Sequence, residues 1–309
     1  MIALVTGATG FVGMRLCARL MEGGHTVKAA LRPGGNSANG AALADMGAKT
    51  MPVDLSDPQA VLTALDGVDT LYHLAWKSNR MSRGAAHQGV QSPATENLAA
   101  LQTLIDGAKK AGIRRIVFAS TVSVYGPETE WGPIPQTESG ALPELDGHPN
   151  PYFRFYAAAK AEAERMLRTS ARPVETVIIR PAMVYGANAQ FATQMVTNAV
   201  NGNGAGNAPH PVQWVHVDDV SRALVLAGER EEAANQTFNI AGRKAILNHT
   251  LANEVRRLAT AGFNGGQGDI LDWNARVPRY DIRAAKTKLA FHPQIGWRDG
   301  LKEMVAAEA

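Results

Sequence analysis

Over its first 180 residues the chain alternates short apolar runs with segments whose apolar residues recur at helical spacing. The runs at 2–5, 27–31, 49–53, 70–74, 116–119 and 176–179 read as buried strands. Helical periods fill the gaps at 15–22, 41–46, 58–65, 95–111 and 156–169. In the longest, Leu98, Leu101, Ile105 and Ala108 form one stripe, the face expected to lie on a sheet. Alternation of this kind builds a parallel sheet, and right-handed crossovers place helices on both its faces. The pattern predicts an α/β fold with a doubly wound parallel sheet over residues 1–180. Beyond Pro181 the rhythm loosens to a helix at 217–227, a strand at 237–240 and helices at 250–258 and 299–306. A smaller lobe over 181–309 follows, interleaved with the last strands, with parts of 212–245 returning to the first domain.

Three stretches interrupt the pattern: 76–93, which holds Lys77, Arg80 and Arg83; 127–151, rich in Pro and Gly; and the Asn/Gly segment 201–209. In a doubly wound sheet, ligands bind beyond the carboxyl ends of the strands. The loops after Leu74 and Ala119 emerge there and are placed to shape a substrate pocket.

Two signatures carry chemistry. Thr6-Gly-Ala-Thr-Gly-Phe-Val-Gly13 lies between the first strand and the first helix. Its glycines permit a tight turn and a close backbone approach to a pyrophosphate, while the helix N-terminus offers free N–H groups to the anion. This is the turn of a Rossmann-type dinucleotide site. Downstream, Tyr156-Ala-Ala-Ala-Lys160 sets a phenol and an ammonium four apart on one helix face. A phenol with an ordinary pKa of about 10 needs a nearby cation to exchange protons near neutrality.

Composition narrows the field. The chain has 309 residues, 45% of them hydrophobic, with 31 Lys and Arg against 28 Asp and Glu. The basic residues are scattered, without the blocks and interleaved aromatics that nucleic acid requires. No apolar run approaches the ~20 residues of a membrane span, and the chain opens on a core strand instead of a basic leader, so a cytoplasmic location is expected. The single cysteine, Cys17, excludes an internal disulfide and reads as a buried small hydrophobe. The eight histidines show no metal-ligand spacing, so no metal is expected.

With these signatures go Val53-Asp-Leu-Ser-Asp57, His73-Leu-Ala75, Phe118-Ala-Ser-Thr-Val-Ser-Val-Tyr-Gly126, Arg180-Pro-Ala-Met-Val-Tyr-Gly186 and Val215-His-Val-Asp-Asp-Val220. In this order they resemble the extended short-chain dehydrogenase/reductase family, which is NAD(P)-dependent and epimerase/dehydratase-like and includes dihydroflavonol-reductase-like enzymes. The resemblance runs nearly end to end. It implies that Thr121, Tyr156 and Lys160 are catalytic: Thr121 holds the reacting oxygen, Tyr156 exchanges the proton, and Lys160 binds nicotinamide ribose hydroxyls while biasing the phenol toward ionisation. It also implies a cofactor site of Gly7, Thr9, Gly10, Phe11, Val12, Gly13, Arg32, Asp54, Leu55, Leu74, Ala75, Ala119, Tyr156, Lys160, Pro181 and Val184. Asp54 is expected by the adenine amino group, His73 to Ala75 along the cleft, and Pro181 to Val184 near the carboxamide. Substrate is expected at Lys77, Ser120, Thr121, Ser123, Tyr156 and Met183. Asn97 matches a helix asparagine beside the active site. Asp218 and Asp219 read as helix-capping residues, and a homodimer is a family expectation.

The second strand ends in Leu31 and Arg32 where NAD-preferring members carry an acid, which favours NADP(H). Members that handle nucleotide sugars bring a cation from the small lobe to the diphosphate, whereas no Lys or Arg lies between Arg180 and Arg222. Arg276, Arg279 and Arg283 remain candidates for it. The expected activity is hydride transfer between nicotinamide and a secondary alcohol or ketone. The alternatives are a nucleotide-sugar epimerase or dehydratase with tightly bound NAD(P), and a non-catalytic dinucleotide sensor.

Overall fold

The computed structural model describes residues 1–35, 37–77, 93–127, 135–187, 212–246, 250, 253–254, 257–258 and 279–308. In chain order the elements are β1 (Ile2–Thr6), α1 (Phe11–Glu22), β2 (Thr26–Leu31), α2 (Ser37–Asp45), β3 (Lys49–Pro52), α3 (Pro58–Leu65), β4 (Thr70–His73), α4 (Pro93–Ala111) and β5 (Arg115–Ala119). A 3₁₀ turn (Val122–Tyr125) and a π-helical turn (Tyr152–Ala157) lead into α5 (Ala158–Ser170). Then come β6 (Glu175–Pro181), β7 (Met183–Tyr185), β8 (Val212–His216), α6 (Val217–Glu229), β9 (Thr237–Ile240), β10 (Ala245–Ile246), α7 (Arg283–Lys288) and α8 (Trp297–Glu308).

The main sheet has the order β3-β2-β1-β4-β5-β6-β9, with every pairing parallel. The order reverses between β1 and β4. Their carboxyl ends therefore lie side by side, with Thr6 opposite His73, and open the crevice where a doubly wound sheet takes its ligand. One sheet face packs Ala3, Val5, Val117 and Val177 against Leu16 and Cys17 of α1 and Leu224 of α6. The other packs Leu4, Leu71 and Ile116 against Leu101, Ile105 and Ala108 of α4 and Leu167 of α5, the stripe that the helical period predicts. Burial pushes the Cys17 thiol up to about 12, as befits a small core residue.

A second sheet, β10-β8-β7, was not legible in the pattern, because its strands are short and β7 follows β6 with one intervening residue. The catalytic helix predicted from 156 is preceded by the π turn. Of the helix predicted at 250–258 only residues 250, 253, 254, 257 and 258 are described, all helical. Most of the segment 76–93, residues 128–134 of the Pro/Gly stretch, and the segment 201–209 lie outside the described residues. The cap of α6 is not an acid: His216 Nδ1 accepts from Asp218 N at 3.3 Å. Asp218 instead receives Arg15 Nε of α1 at 2.5 Å, and Asp219 receives the Gln294 and Ile295 amides at 3.0 and 3.2 Å.

Arg115, fully buried at the start of β5, closes the other end of α6. Its Nη1 donates to the carbonyls of Ala227, Gly228 and Arg230 at 2.9, 3.2 and 2.6 Å, and its Nε donates to Glu175 at 2.8 Å. A cation at a helix C-terminus meets the negative end of the dipole and the unsatisfied carbonyls together. Arg115→Leu strands those carbonyls and Glu175, and is expected to cost about 3 kcal/mol in urea unfolding. A change within experimental error would show that the cap is dispensable.

Candidate active site

The crevice begins at the glycine turn. Gly7 sits at φ 71°, and a Cβ there would come within 2.6 Å of the Ala75 amide nitrogen. A Cβ on Gly13 would come within 2.1 Å of the Gly7 carbonyl oxygen. Side chains are excluded by contact with backbone, so the turn lies directly on Leu74 and Ala75 at the end of β4. Gly10 opens α1 with no side-chain cap, and no acid stands in the first turn. The first amides of α1 are therefore left for an anion, which fits a dinucleotide pyrophosphate. Asn39 Nδ2 donates to the Thr9 carbonyl at 2.8 Å and ties the turn to α2, while half-buried Phe11 and Val12 pack inward.

Beneath the turn, Thr6 Oγ1 accepts from the Ala75 amide at 3.3 Å and bonds His73 Nδ1 at 2.8 Å. Burial, and then the charge of Lys160, push His73 down to about 3. It is a neutral strand-end histidine whose buried Nε2 has no hydrogen-bond partner among the described residues. Arg32 is exposed just beyond β2, where no ion pair among the described residues engages it. Asp54 is exposed after β3; the Ser56 amide and hydroxyl, at 2.9 and 2.7 Å, hold its carboxyl below the usual range. Leu55 is half-buried against the sheet.

At the end of β5, Thr121 is 8% exposed and caps the 3₁₀ turn, accepting from Ser123 N at 3.1 Å. Its hydroxyl also donates to Ser123 Oγ at 3.1 Å, and its nearness to Tyr156 favours the ionised phenol. The structure brings Thr121, Ser123 and Tyr156 together. Burial, and then the neighbouring Tyr152, push the Tyr156 phenol above its ordinary range, while the Thr121 bond pulls it down.

Lys160 sits against the end of β5 and two aromatic rings. Its Nζ donates to the Ala119 carbonyl at 2.7 Å and lies 3.9 Å over the Trp76 ring and 4.6 Å over Phe118. A carbonyl and two aromatic faces hold the ammonium. The buried Ser120 hydroxyl donates to Glu164 at 2.6 Å. Lys77 turns to α4, pairing with Glu96, while its backbone is bracketed by Asn97 at 2.9 and 3.0 Å. Asn97 thus spends its amide on that loop. Pro181 and Val184 are half-buried at the end of β6 and on β7, and Met183 is 43% exposed. Among the cationic candidates of the small lobe, Arg283 pairs with Asp281, the Arg279 amide donates to Gln213, and Arg276 lies outside the described residues.

Behind the helix lies a buried ion pair. Arg180 Nε donates to Glu164 Oε1 at 2.9 Å and Nη2 to Oε2 at 2.6 Å, while Nη1 reaches Tyr125 Oη at 2.8 Å. Burial alone would raise Glu164, but Arg180, Ser120 and Arg168 hold it below the usual carboxyl range. Sequence reasoning missed Glu164, Tyr152 and Trp76. The first two had a signal, because Tyr152, Tyr156, Lys160, Glu164 and Arg168 recur every fourth residue on one face. A cavity of about 940 Å³ opens elsewhere on the helix, beside Phe155, Ala158, Glu162 and Arg165, without Thr121 or Tyr156 in its walls.

The model of the NAD dependent epimerase/dehydratase family matches residues 3–241. The chain belongs to that family. It is 32% identical to the 2-alkyl-3-oxoalkanoate reductase of Stenotrophomonas maltophilia, over 84% of this chain and 75% of the relative. It is 28% identical to the UDP-glucose 4-epimerase of Vibrio cholerae, over 98% and 94%. Among solved structures, a dTDP-glucose 4,6-dehydratase of Bacillus anthracis in complex with NAD superposes with a TM-score of 0.76 at 20% identity, covering 100% of this chain and 96% of that one. The fold is that of the epimerase/dehydratase Rossmann enzymes, and the protein is an enzyme of this NAD(P)-dependent group. Among the described residues, no helix is long and apolar enough to cross a membrane.

Burial pushes Lys160 down to about 7, against a smaller upward pull from Glu164. An unfolded lysine titrates near 10.4. Between about 7 and 10 the unfolded chain holds this proton and the folded chain does not, so the contribution of Lys160 to stability rises with pH across that window, and below it the full penalty applies. Lys160→Met is therefore expected to raise the ligand-free Tm at pH 6 by several degrees, at roughly 2–4 °C per kcal/mol. It should also flatten the rise above pH 7. Scanning calorimetry of the two proteins decides; a variant that melts lower at pH 6 contradicts the assignment.

Proposed function

We propose that this enzyme is an NADP(H)-dependent reductase or dehydrogenase acting on a secondary alcohol or ketone that carries no nucleotide. The observation that carries the proposal is the grouping of Thr121, Ser123 and Tyr156 at the carboxyl edge of the sheet, with an exposed Arg32 at the end of β2 that no ion pair among the described residues engages. The nicotinamide, when bound, supplies or accepts the hydride. Gly7, Thr9, Gly10 and Gly13 present the pyrophosphate turn, Arg32 meets the second phosphate of NADP(H), Asp54 and Leu55 take the adenine side, and Leu74, Ala75, Ala119, Pro181 and Val184 line the nicotinamide side. Thr121 holds the carbonyl oxygen by donating its hydroxyl hydrogen, and Tyr156 delivers the proton to that oxygen. Lys160 is the cation assigned to the ribose hydroxyls.

The substrate rim is apolar. Met183 and Tyr152 are 43% and 45% exposed, and the relative at 32% identity is named for reducing a 2-alkyl-3-oxoalkanoate. Long apolar 3-oxo compounds are the first substrates to assay. The second reading, a nucleotide-sugar epimerase or dehydratase, draws on the similarity to the UDP-glucose 4-epimerase over 98% of this chain.

Loss of reduced-nicotinamide absorbance with a panel of alkyl 3-oxo acids and aryl ketones tests the proposal. Consumption with NADPH supports it. No consumption, together with a higher Tm in UDP or dTDP, transfers the assignment to the second reading. Arg32→Ala is expected to raise the KM for NADPH about tenfold while leaving that for NADH unchanged, the loss of one charge-assisted phosphate contact. Equal effects on both cofactors would remove Arg32 from the phosphate site.

A further inference from the structure

A tyrosine at a protein surface ordinarily lays its ring on the protein and turns its hydroxyl to water. Tyr152 does the reverse. Its hydroxyl turns inward to Ser123 Oγ at 2.8 Å, and burial pushes it above its ordinary range against the opposing pull of that bond. Its amide donates to Asn150 Oδ1 at 2.9 Å, while the residue as a whole is 45% exposed. With both polar ends engaged, the part that Tyr152 offers to the outside is its ring. That ring is held in place. Tyr156 stacks on it, with centroids 5.2 Å apart and planes at 29°, and Phe153 meets it edge to face, 5.2 Å away at 84°. Phe153 is braced in turn by the His148 ring at 5.1 Å. Ser123 Oγ, which receives the Tyr152 hydroxyl end, also accepts from Thr121 Oγ1 at 3.1 Å. The ring therefore stands beside Thr121, Ser123 and Tyr156, none of which carries a formal charge, and a group bonded directly to the reacting carbonyl carbon comes within its reach.

We propose that Tyr152 determines specificity: its tethered ring is a platform for a planar aromatic group attached to the carbonyl carbon, so that the substrate is an aryl ketone or, in the oxidative direction, its benzylic alcohol. The inference rests on the oxidoreductase reading above and names the substrate class of that same site. Two rings in offset or edge-on contact gain an interaction beyond the area they bury, and a saturated group of equal size gains the area alone. A platform fixed at its amide, its hydroxyl and one face has little freedom left to lose when a ligand settles on it, which favours a rigid flat partner over a flexible chain. A 3-oxo acid whose ketone bears an aryl group meets this requirement and the apolar rim together. In reduction the nicotinamide hydride goes to the carbonyl carbon and the Tyr156 proton to its oxygen, while the aryl group leaves the reaction unchanged.

Acetophenone and cyclohexyl methyl ketone share a skeleton and differ in whether the ring is flat, so the ratio of their kcat/KM values with NADPH isolates the platform. Tyr152→Leu should lower the aryl-to-saturated ratio about fivefold, through KM more than kcat, because a stack made alike in ground and transition states is uniform binding. Tyr152→Phe keeps the ring and should hold the ratio within about twofold of the wild type. Comparing two ketones on one variant cancels any loss common to both. A further measurement needs neither a variant nor turnover: in the wild-type complex with NADP⁺, which has no hydride to give, acetophenone should show nuclear Overhauser contacts between its aryl protons and the Tyr152 ring protons. A ratio unchanged in Tyr152→Leu, a fall in Tyr152→Phe as deep as in Tyr152→Leu, or ketone reduction without those contacts overturns the platform and leaves the oxidoreductase reading standing. If the wild type reduces neither ketone yet shows the contacts, the platform stands and the oxidoreductase reading falls. Neither reduction nor contacts would remove both.

Discussion

The buried Glu164–Arg180 pair is the constraint on which the site depends. Removing two charges from water is expensive, and such a pair is tolerable only when nearly every donor and acceptor is satisfied. Here the carboxylate receives Arg180 twice, Ser120 and Arg168, and the guanidinium also reaches Tyr125, whose hydroxyl donates to Asn239 of β9. One network thereby fixes α5 against the ends of β5, β6 and β9. Tyr156 and Lys160 stand two turns and one turn before Glu164, so their height above Thr121 is set by a contact that takes no part in the chemistry. Specificity of register, more than net stability, is what a pair like this contributes.

Much of the fold was legible because it follows from periodicity. The main strands and helices up to Ile179 each bury a face whose spacing shows in the chain, and the glycine turn announces itself by residues that nothing larger can replace. The candidate site was legible as to its members and not as to their partners. That Tyr156 and Lys160 share a helix face follows from their spacing, but that the ammonium turns to the Ala119 carbonyl and Trp76 depends on where β5 ends and which aromatic stands after Ala75. Ser120 and Thr121 are equivalent in sequence and opposite in role, because the alternation of the extended backbone points one at Glu164 and the other at Tyr156. The second sheet escaped notice because its strands pair across long separations that leave no local trace.

The aromatic lining changes the electrostatics of the crevice. Lys160 is 3% exposed, and the faces of Trp76 and Phe118 supply part of what water would otherwise give its charge. Its cause for losing a proton is desolvation, and Glu164, one turn behind, opposes that loss. The crevice thus holds an amine that burial drives toward its neutral form, while two ring faces, a backbone carbonyl and a carboxylate one turn away favour its charged form.

Phe11, in the first turn of α1, packs with Tyr185, Trp214, Leu301 and Met304, and its ring is one of the atoms a side chain on Gly186 would meet. The glycine turn therefore leans, through Phe11, on α8, a helix far from it along the chain. A change of packing around Leu301 or Met304 is thereby transmitted to the first turn of α1, so a substitution in one helix is felt at the mouth of the crevice formed by another.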